Sequence, residues 1–208
     1  MRKSMRKTEQ GFSLLELVVV VLLALAMMAM AVMSTLGSRQ SARANTAKDE
    51  VVSVLREARE MAIAKRRNVE VQFIQPNEIQ LTVLTLPGEV VPPAITPTYL
   101  NDNVGGGLTY TLFPALPDTP MAFGNSTAIN LQEPGGGGAW SVMFTTSGAF
   151  VGSAQAATSL YEVTNNDPVD ATIFIGIPGN STTARAITIF GATGRVRAYY
   201  WNSSAWLE

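Results

Sequence analysis

The chain has 208 residues, with 15 Lys and Arg against 16 Asp and Glu, and contains neither Cys nor His. Disulfides, thiolate nucleophiles, imidazole bases and zinc sites built from Cys and His are therefore excluded. The charge is unevenly spread. Four basic residues fall in the first seven positions and eight between Arg39 and Arg67, and none falls from Asn68 to Ala184. The long middle is acidic and a poor general partner for a polyanion.

In chain order, residues 1–11 form a short polar leader carrying Arg2, Lys3, Arg6 and Lys7. Residues 12–36 follow, 25 positions with Glu16 as their only charge. At a helical rise of about 1.5 Å per residue this run reaches roughly 37 Å, enough for a bilayer core of about 30 Å. Basic residues ahead of the span keep the leader cytoplasmic and send the rest across. An ordinary secretory signal is the rival reading: its apolar core is shorter and ends at small residues, which "AMMAMAVMSTLG" contains. Glu16 is a functional candidate because an ionisable group within such a run is costly to bury; the bland alternative is snorkelling at the bilayer edge.

Residues 37–67 read as an amphipathic continuation of the helix. In "NTAKDEVVSVLREAREMAIAKRRN" the residues Val51, Leu55, Ala58 and Ala62 recur at helical spacing, and Val54 and Met61 widen the stripe. Lys65, Arg66 and Arg67 fall in the last turn, where cations suit the negative helix end.

Residues 68–208 read as a β-rich head. "VEVQFIQ" alternates Val69, Val71 and Phe73 against Glu70 and Gln72, "EIQLTVLT" alternates Ile79, Leu81 and Val83, and "QPNE" between them is a turn. Further candidate strands are "GLTYTLF", "WSVMFTT", "SLYEVT", "ATIFIGI", "RAITIF" and "RVRAYYW". Residues 86–107, with four prolines and three successive glycines, read as a long loop, and "EPGGGG" at 133–138 as a flexible connector. Neither glycine-rich stretch leads into a helix, which argues against a phosphate loop. The expected class is α+β, a long N-terminal helix packed on antiparallel sheets.

Nothing in the sequence points to catalysis, and no cofactor is expected. "TNNDPVD" gathers Asn165, Asn166, Asp167 and Asp170, oxygen donors that calcium accepts, but without the spacing of a calcium loop; such clusters are ordinary turn formers. In "GRVRAYYW", strand alternation puts Arg195, Arg197, Tyr199 and Trp201 on one face and Val196, Ala198 and Tyr200 on the other. With the second set on the core, the first becomes a row of two cations and two aromatics, a combination that suits phosphate contact and base stacking. A solubilised edge strand after a glycine turn accounts for the same residues.

"KTEQGFSLLELVVVV" resembles the prepilin signature of type IV pilins and type II secretion pseudopilins: basic leader, Gly11, aromatic Phe12, an apolar run, and Glu five residues into the mature chain. "LREAREMAIAKRRNVEVQF", through Ala58, Arg59, Ala62, Ile63 and Arg66, and "AITIFGATGRVRAYY" are similar to the GspH/FimT branch. The resemblance covers residues 1–75 and 185–200. It implies a long N-terminal helix on two β-sheets and cleavage between Gly11 and Phe12 by a prepilin peptidase that also methylates Phe12. It implies a single-pass protein of the bacterial inner membrane, head in the periplasm, that later joins a filament with other pilins or pseudopilins. Glu16 would meet a neighbour's Phe12 amine and set axial register. The implied role is structural, in filament initiation or tip assembly and protein secretion. The alternative is a minor pilin that captures DNA at a pilus tip through Arg195 and Arg197, since Gly194, Arg195 and Arg197 resemble the G-R-x-R element of DNA-binding FimT-type pilins.

Overall fold

The structure is a computed structural model. It describes residues 13–84, 95–99, 107–131, 141–152 and 167–208, and at 30–36 and 95–99 the backbone alone. The chain divides into two compact units, residues 1–39 and 40–208. Helix α1 (Leu14–Lys65) contributes to both. Of its residues 14–28 all but Ala24 are exposed, the large apolar ones from 45% at Val18 to 81% at Leu14. Among the described residues, no helix is long and apolar enough to cross a membrane; Phe12 and side chains 30–36 of the span read at 12–36 lie outside them.

In the second unit the helix carries the stripe that its sequence dictates. Ala44, Ala47, Val51, Leu55, Ala58 and Ala62 are all fully buried, at steps of three and four residues that keep one face inward. The two halves of the core close on this face. One comes from β1 (Val69–Ile74), β2 (Glu78–Val83), β6 (Ser141–Phe144) and β7 (Phe150–Gly152), which with β3 (Ile95–Tyr99) form an antiparallel sheet in the order β3-β2-β1-β6-β7. The other is a sheet in the order β11-β10-β9-β8-β4, made of β4 (Thr109–Tyr110), β8 (Ala171–Gly176), β9 (Arg185–Phe190), β10 (Arg195–Trp201) and β11 (Trp206–Leu207). β5 (Ile129–Leu131) also pairs with β8. Val71, Phe144, Ile173 and Ile187 share one cluster with the helix, so a single apolar core holds helix and both sheets together. The α+β arrangement of a helix on antiparallel sheets is thus observed.

The alternation read in the first hairpin is present. Val69, Val71, Phe73, Ile79 and Leu81 are buried, the polar residues between them are not, and Val69 pairs with Val83. Four features differ from the sequence expectation. The helix stops at Lys65 rather than at 67, because Arg66 takes a left-handed φ of 51°. The Arg66 amide then donates to Ile63 O and that of Arg67 to Ala62 O, closing the last carbonyls. The stretch 86–107 is not all loop: β3 lies in it, and its Pro97 is tolerated because β3 is the sheet's outer strand. "GLTYTLF" is extended only at Thr109–Tyr110. And β5, β7 and β11, two or three residues each, carry no periodic signal. The strand read at "SLYEVT" and the connector at 133–138 lie outside the described residues.

One charge is built into this packing. Arg185 opens β9 and is 1% exposed. Its Nε donates to Asn45 Oδ1 (2.7 Å), Nη1 to Thr182 O and Ala184 O (3.1 and 2.8 Å), and Nη2 to Ser41 O and Oγ (3.1 and 2.8 Å). A guanidinium has five N–H donors, and all five are used. Burial pushes the guanidinium below its usual range, yet it stays a cation. The bonds join the helix at 41–45 to the 3₁₀ turn Ser181–Thr183, and Asn180 adds a bond to Gln40 Oε1. Replacing Arg185 with Met keeps the bulk but strands these oxygens. With an unsatisfied buried polar group costing about 1–3 kcal/mol, Arg185→Met is expected to destabilise the fold by about 3 kcal/mol in denaturant unfolding.

Candidate functional site

The sequence points to two places, the start of α1 and the β9–β10 hairpin. At the first, Glu16 sits in the first turn of the helix, exposed among exposed Leu14, Leu15, Leu17 and Val18. A carboxylate suits the positive N-terminal end of a helix. Gly11 and Phe12 lie outside the described residues.

At the second, the hairpin turn is locked to a second turn and to the helix. Arg59 reaches from the edge of the buried stripe, and its Nε–H is shared between Thr193 O (3.1 Å) and Gly148 O (3.3 Å). Gly148 closes the turn between β6 and β7, and Phe150 N–H donates to Gly191 O, so the two sheets are tied turn to turn. Gly194 fits this junction because it has no side chain. Its φ is 62°, and a Cβ there would stand 2.2 Å from Gly148 O. The Gly-Arg start of the motif therefore has a structural cause independent of any ligand.

The face assignment along β10 follows from register. Arg197 pairs with Thr188 and Tyr199 with Ala186, and Val196 and Ala198 turn toward the main core. The aromatic half of the expected row is not available, which corrects the reading of this face as open. Tyr199 is 3% exposed inside a second apolar cluster with Phe113, Phe174, Ala186 and Trp206, and Trp201 packs on that cluster, its ring 5.4 Å from Trp206. The cause is the segment 112–121, whose Leu112, Phe113, Leu116 and Met121 cover this side of the sheet. Trp206 Nε1 is anchored to Pro117 O. Tyr200, assigned to the core side, is 37% exposed instead.

The cationic half is present. Arg195 is exposed and Arg197 half-buried, with Nη1 3.7 Å from Glu208 Oε2. Both line an open cleft of about 560 Å³ together with Arg56, Arg59 and Glu60 of the helix, Thr193, Gly194, Val196 and Glu208. Arg56 and Arg59 were not part of the sequence reading of this site. Their positions one and four residues before Glu60 on the helix face next to the stripe give no hint that a hairpin lies opposite. The other polar cluster is described only in part. Asp170 Oδ1 accepts from Gly191 N–H (2.7 Å) as a turn brace, Asn165 and Asn166 lie outside the described residues, and among the described residues no group of His, Cys, Asp or Glu could hold a metal ion.

Gly194→Ala is expected to cost about 3 kcal/mol, combining left-handed strain with overpacking against backbone. Gly179→Ala, at φ 79° with open space around its Cβ, should cost only about 1 kcal/mol of strain. Equal losses in thermal unfolding would contradict the turn-to-turn junction.

No family model and no curated protein matches the chain. Among solved structures it is similar to the type IV minor pilin FimU of Pseudomonas aeruginosa in two crystal forms. Identity is 16% in both, over 79% of this chain and 97% or 92% of the other, with TM-scores of 0.43 and 0.44. It is also similar to the minor pseudopilin EpsH from the type 2 secretion system of Vibrio cholerae, at 14% identity over 75% of this chain and 95% of that one, with a TM-score of 0.39.

Proposed function

We propose that this chain is a minor pilin or pseudopilin, a structural subunit of a type IV pilus or type II secretion filament. The observation that carries the reading is the first part of α1, where twelve large apolar side chains between Leu14 and Met28 are exposed around one carboxylate, Glu16. A continuous apolar surface of this kind needs a membrane or other subunits to cover it. The leader of residues 1–11 ahead of it carries four cations, which directs insertion from the cytoplasmic side with the head outside.

The chemistry then runs through the new N-terminus. Cleavage between Gly11 and Phe12 by a prepilin peptidase removes the cationic leader and frees the Phe12 amine at the end of an apolar helix. Buried apart, that ammonium and the Glu16 carboxylate would each lose hydration; buried together in a filament they offset that cost. Pairing Glu16 with the amine of a neighbouring subunit sets how far each helix advances along the fibre. The head, held to its own half of the helix by the Arg185 bonds, supplies contacts at the filament start or tip.

DNA capture is the second reading, and only its cationic half keeps support. Arg195 is free to meet a phosphate, whereas Arg197 faces Glu208 and the rings of Tyr199 and Trp201 are packed against Trp206 and its neighbours. The structural role is the better account.

Intact-mass and peptide analysis of the protein purified from its own membranes is expected to find N-methylated Phe12 as the first residue. A terminus near Gly37 would mean ordinary signal-peptidase cleavage and would remove the filament reading.

A further inference from the structure

The outer edge of β10 is only partly paired. β10 runs for seven residues and pairs with β9 from Arg195 to Tyr200, but β11 covers it only at Tyr200 and Trp201. Trp201 N–H donates to Ala184 O in the direction of β9, and Asn202 N–H to Ala205 O on the opposite side. Backbone direction alternates along an antiparallel strand. Arg195, Arg197 and Tyr199 therefore bond toward β9, and Val196 and Ala198 present N–H and C=O outward. Among the described residues, no strand meets them. About 17 Å of edge is left, at roughly 3.4 Å per residue. Unpaired edges of this kind accept an added strand unless something blocks them.

The cleft beside this edge decides what kind of strand fits. It sets Arg56, Arg59, Arg195 and Arg197 against only Glu60 and Glu208. Arg59 is held by the two turn carbonyls, and Arg56 and Arg195 are exposed. Glu208 follows directly on β11 and already places its carboxylate on Arg197, which shows how an acid arriving along this edge is received. Glu60 and Glu208 at the same place work against a run of closely spaced phosphates, whereas a single carboxylate can sit beside Arg195, the cation of this strand that Glu208 does not engage.

We propose that the β10 edge from Arg195 to Tyr199 is a docking site for an extended, acidic segment of another protein, which adds to the sheet as one more strand in line with β11. Main-chain bonds at Val196 and Ala198 supply affinity, and a carboxylate opposite Arg195 supplies selectivity, the division of labour that strand addition uses elsewhere. The inference goes beyond the filament reading and stands on the edge geometry and the charge of the cleft.

The test uses the full chain in detergent micelles and a fluorescent (Glu-Val)4 peptide, with (Lys-Val)4 and a short duplex DNA as comparison probes. The expected result is saturable binding of the acidic peptide only, with slowed hydrogen exchange at the amides of Val196 and Ala198. Arg195→Glu, at an exposed side chain, should weaken binding at least tenfold. Ala198→Pro removes an outward N–H without touching the β9 ladder, which an edge strand tolerates, and should weaken it equally while the near-ultraviolet circular dichroism stays unchanged. No binding of the acidic peptide, binding without protection of the two amides, equal binding by Arg195→Glu, or tighter binding of the duplex at this cleft would each overturn the proposal.

Discussion

A guanidinium buried without a carboxylate is the feature on which the head depends most. Arg185 uses every N–H it has on neutral oxygens from the helix at Ser41 and Asn45 and from the 3₁₀ turn at Thr182 and Ala184. Apolar packing along Val51, Leu55 and Ala58 holds the helix against the sheets but does not fix its axial position, because such contacts are non-directional. The three directed bonds from Arg185 to Ser41 and Asn45 do. A lysine could not replace them, since one ammonium offers three donors on a flexible stem instead of a planar fork. The second tie, Arg59 across the carbonyls of Gly148 and Thr193, works at the other end of the same helical stretch. Between them the two arginines pin both ends of the packed helix to both sheets.

That pinning shapes how the molecule divides its surfaces. Residues 44–62 of the helix spend their apolar face on the head's own core, while the large apolar side chains from Leu14 to Met28 are exposed. The β10 edge lies next to the Arg59 junction, so a partner bound there would meet a region already held rigid from two directions.

The parts of the fold that repeat were legible in the sequence: the helical stripe from Val51 to Ala62, and the alternation through Val69 and Ile79. The short strands were not, because two or three residues in β5, β7 or β11 cannot establish a period. Pro97 and its neighbours hid β3, as prolines mark loops far more often than outer strands. In β10, alternation placed Arg195, Arg197, Tyr199 and Trp201 correctly on a shared face. It could not tell that Phe113 and Trp206 would cover half of that face, since parity gives sidedness and not burial. Arg185 and Arg59 were equally hidden in their roles. A lone arginine at the head of an apolar strand, and another beside a helical stripe, look like surface charges until the distant partners they meet are known, Ser41 and Asn45 for Arg185 and Gly148 and Thr193 for Arg59.

On the proposed function, the exposed start of α1 is a subunit interface governed by Glu16. The chain has no cysteine, so one introduced as Leu22→Cys reports on its surroundings alone. In cells that assemble the filament, mild oxidation should link this cysteine to one placed at the matching helix position of a partner subunit, and Glu16→Ala in the same chain should abolish the link while membrane insertion and cleavage proceed. A link that forms equally without Glu16, or none in assembling cells, would contradict the claim.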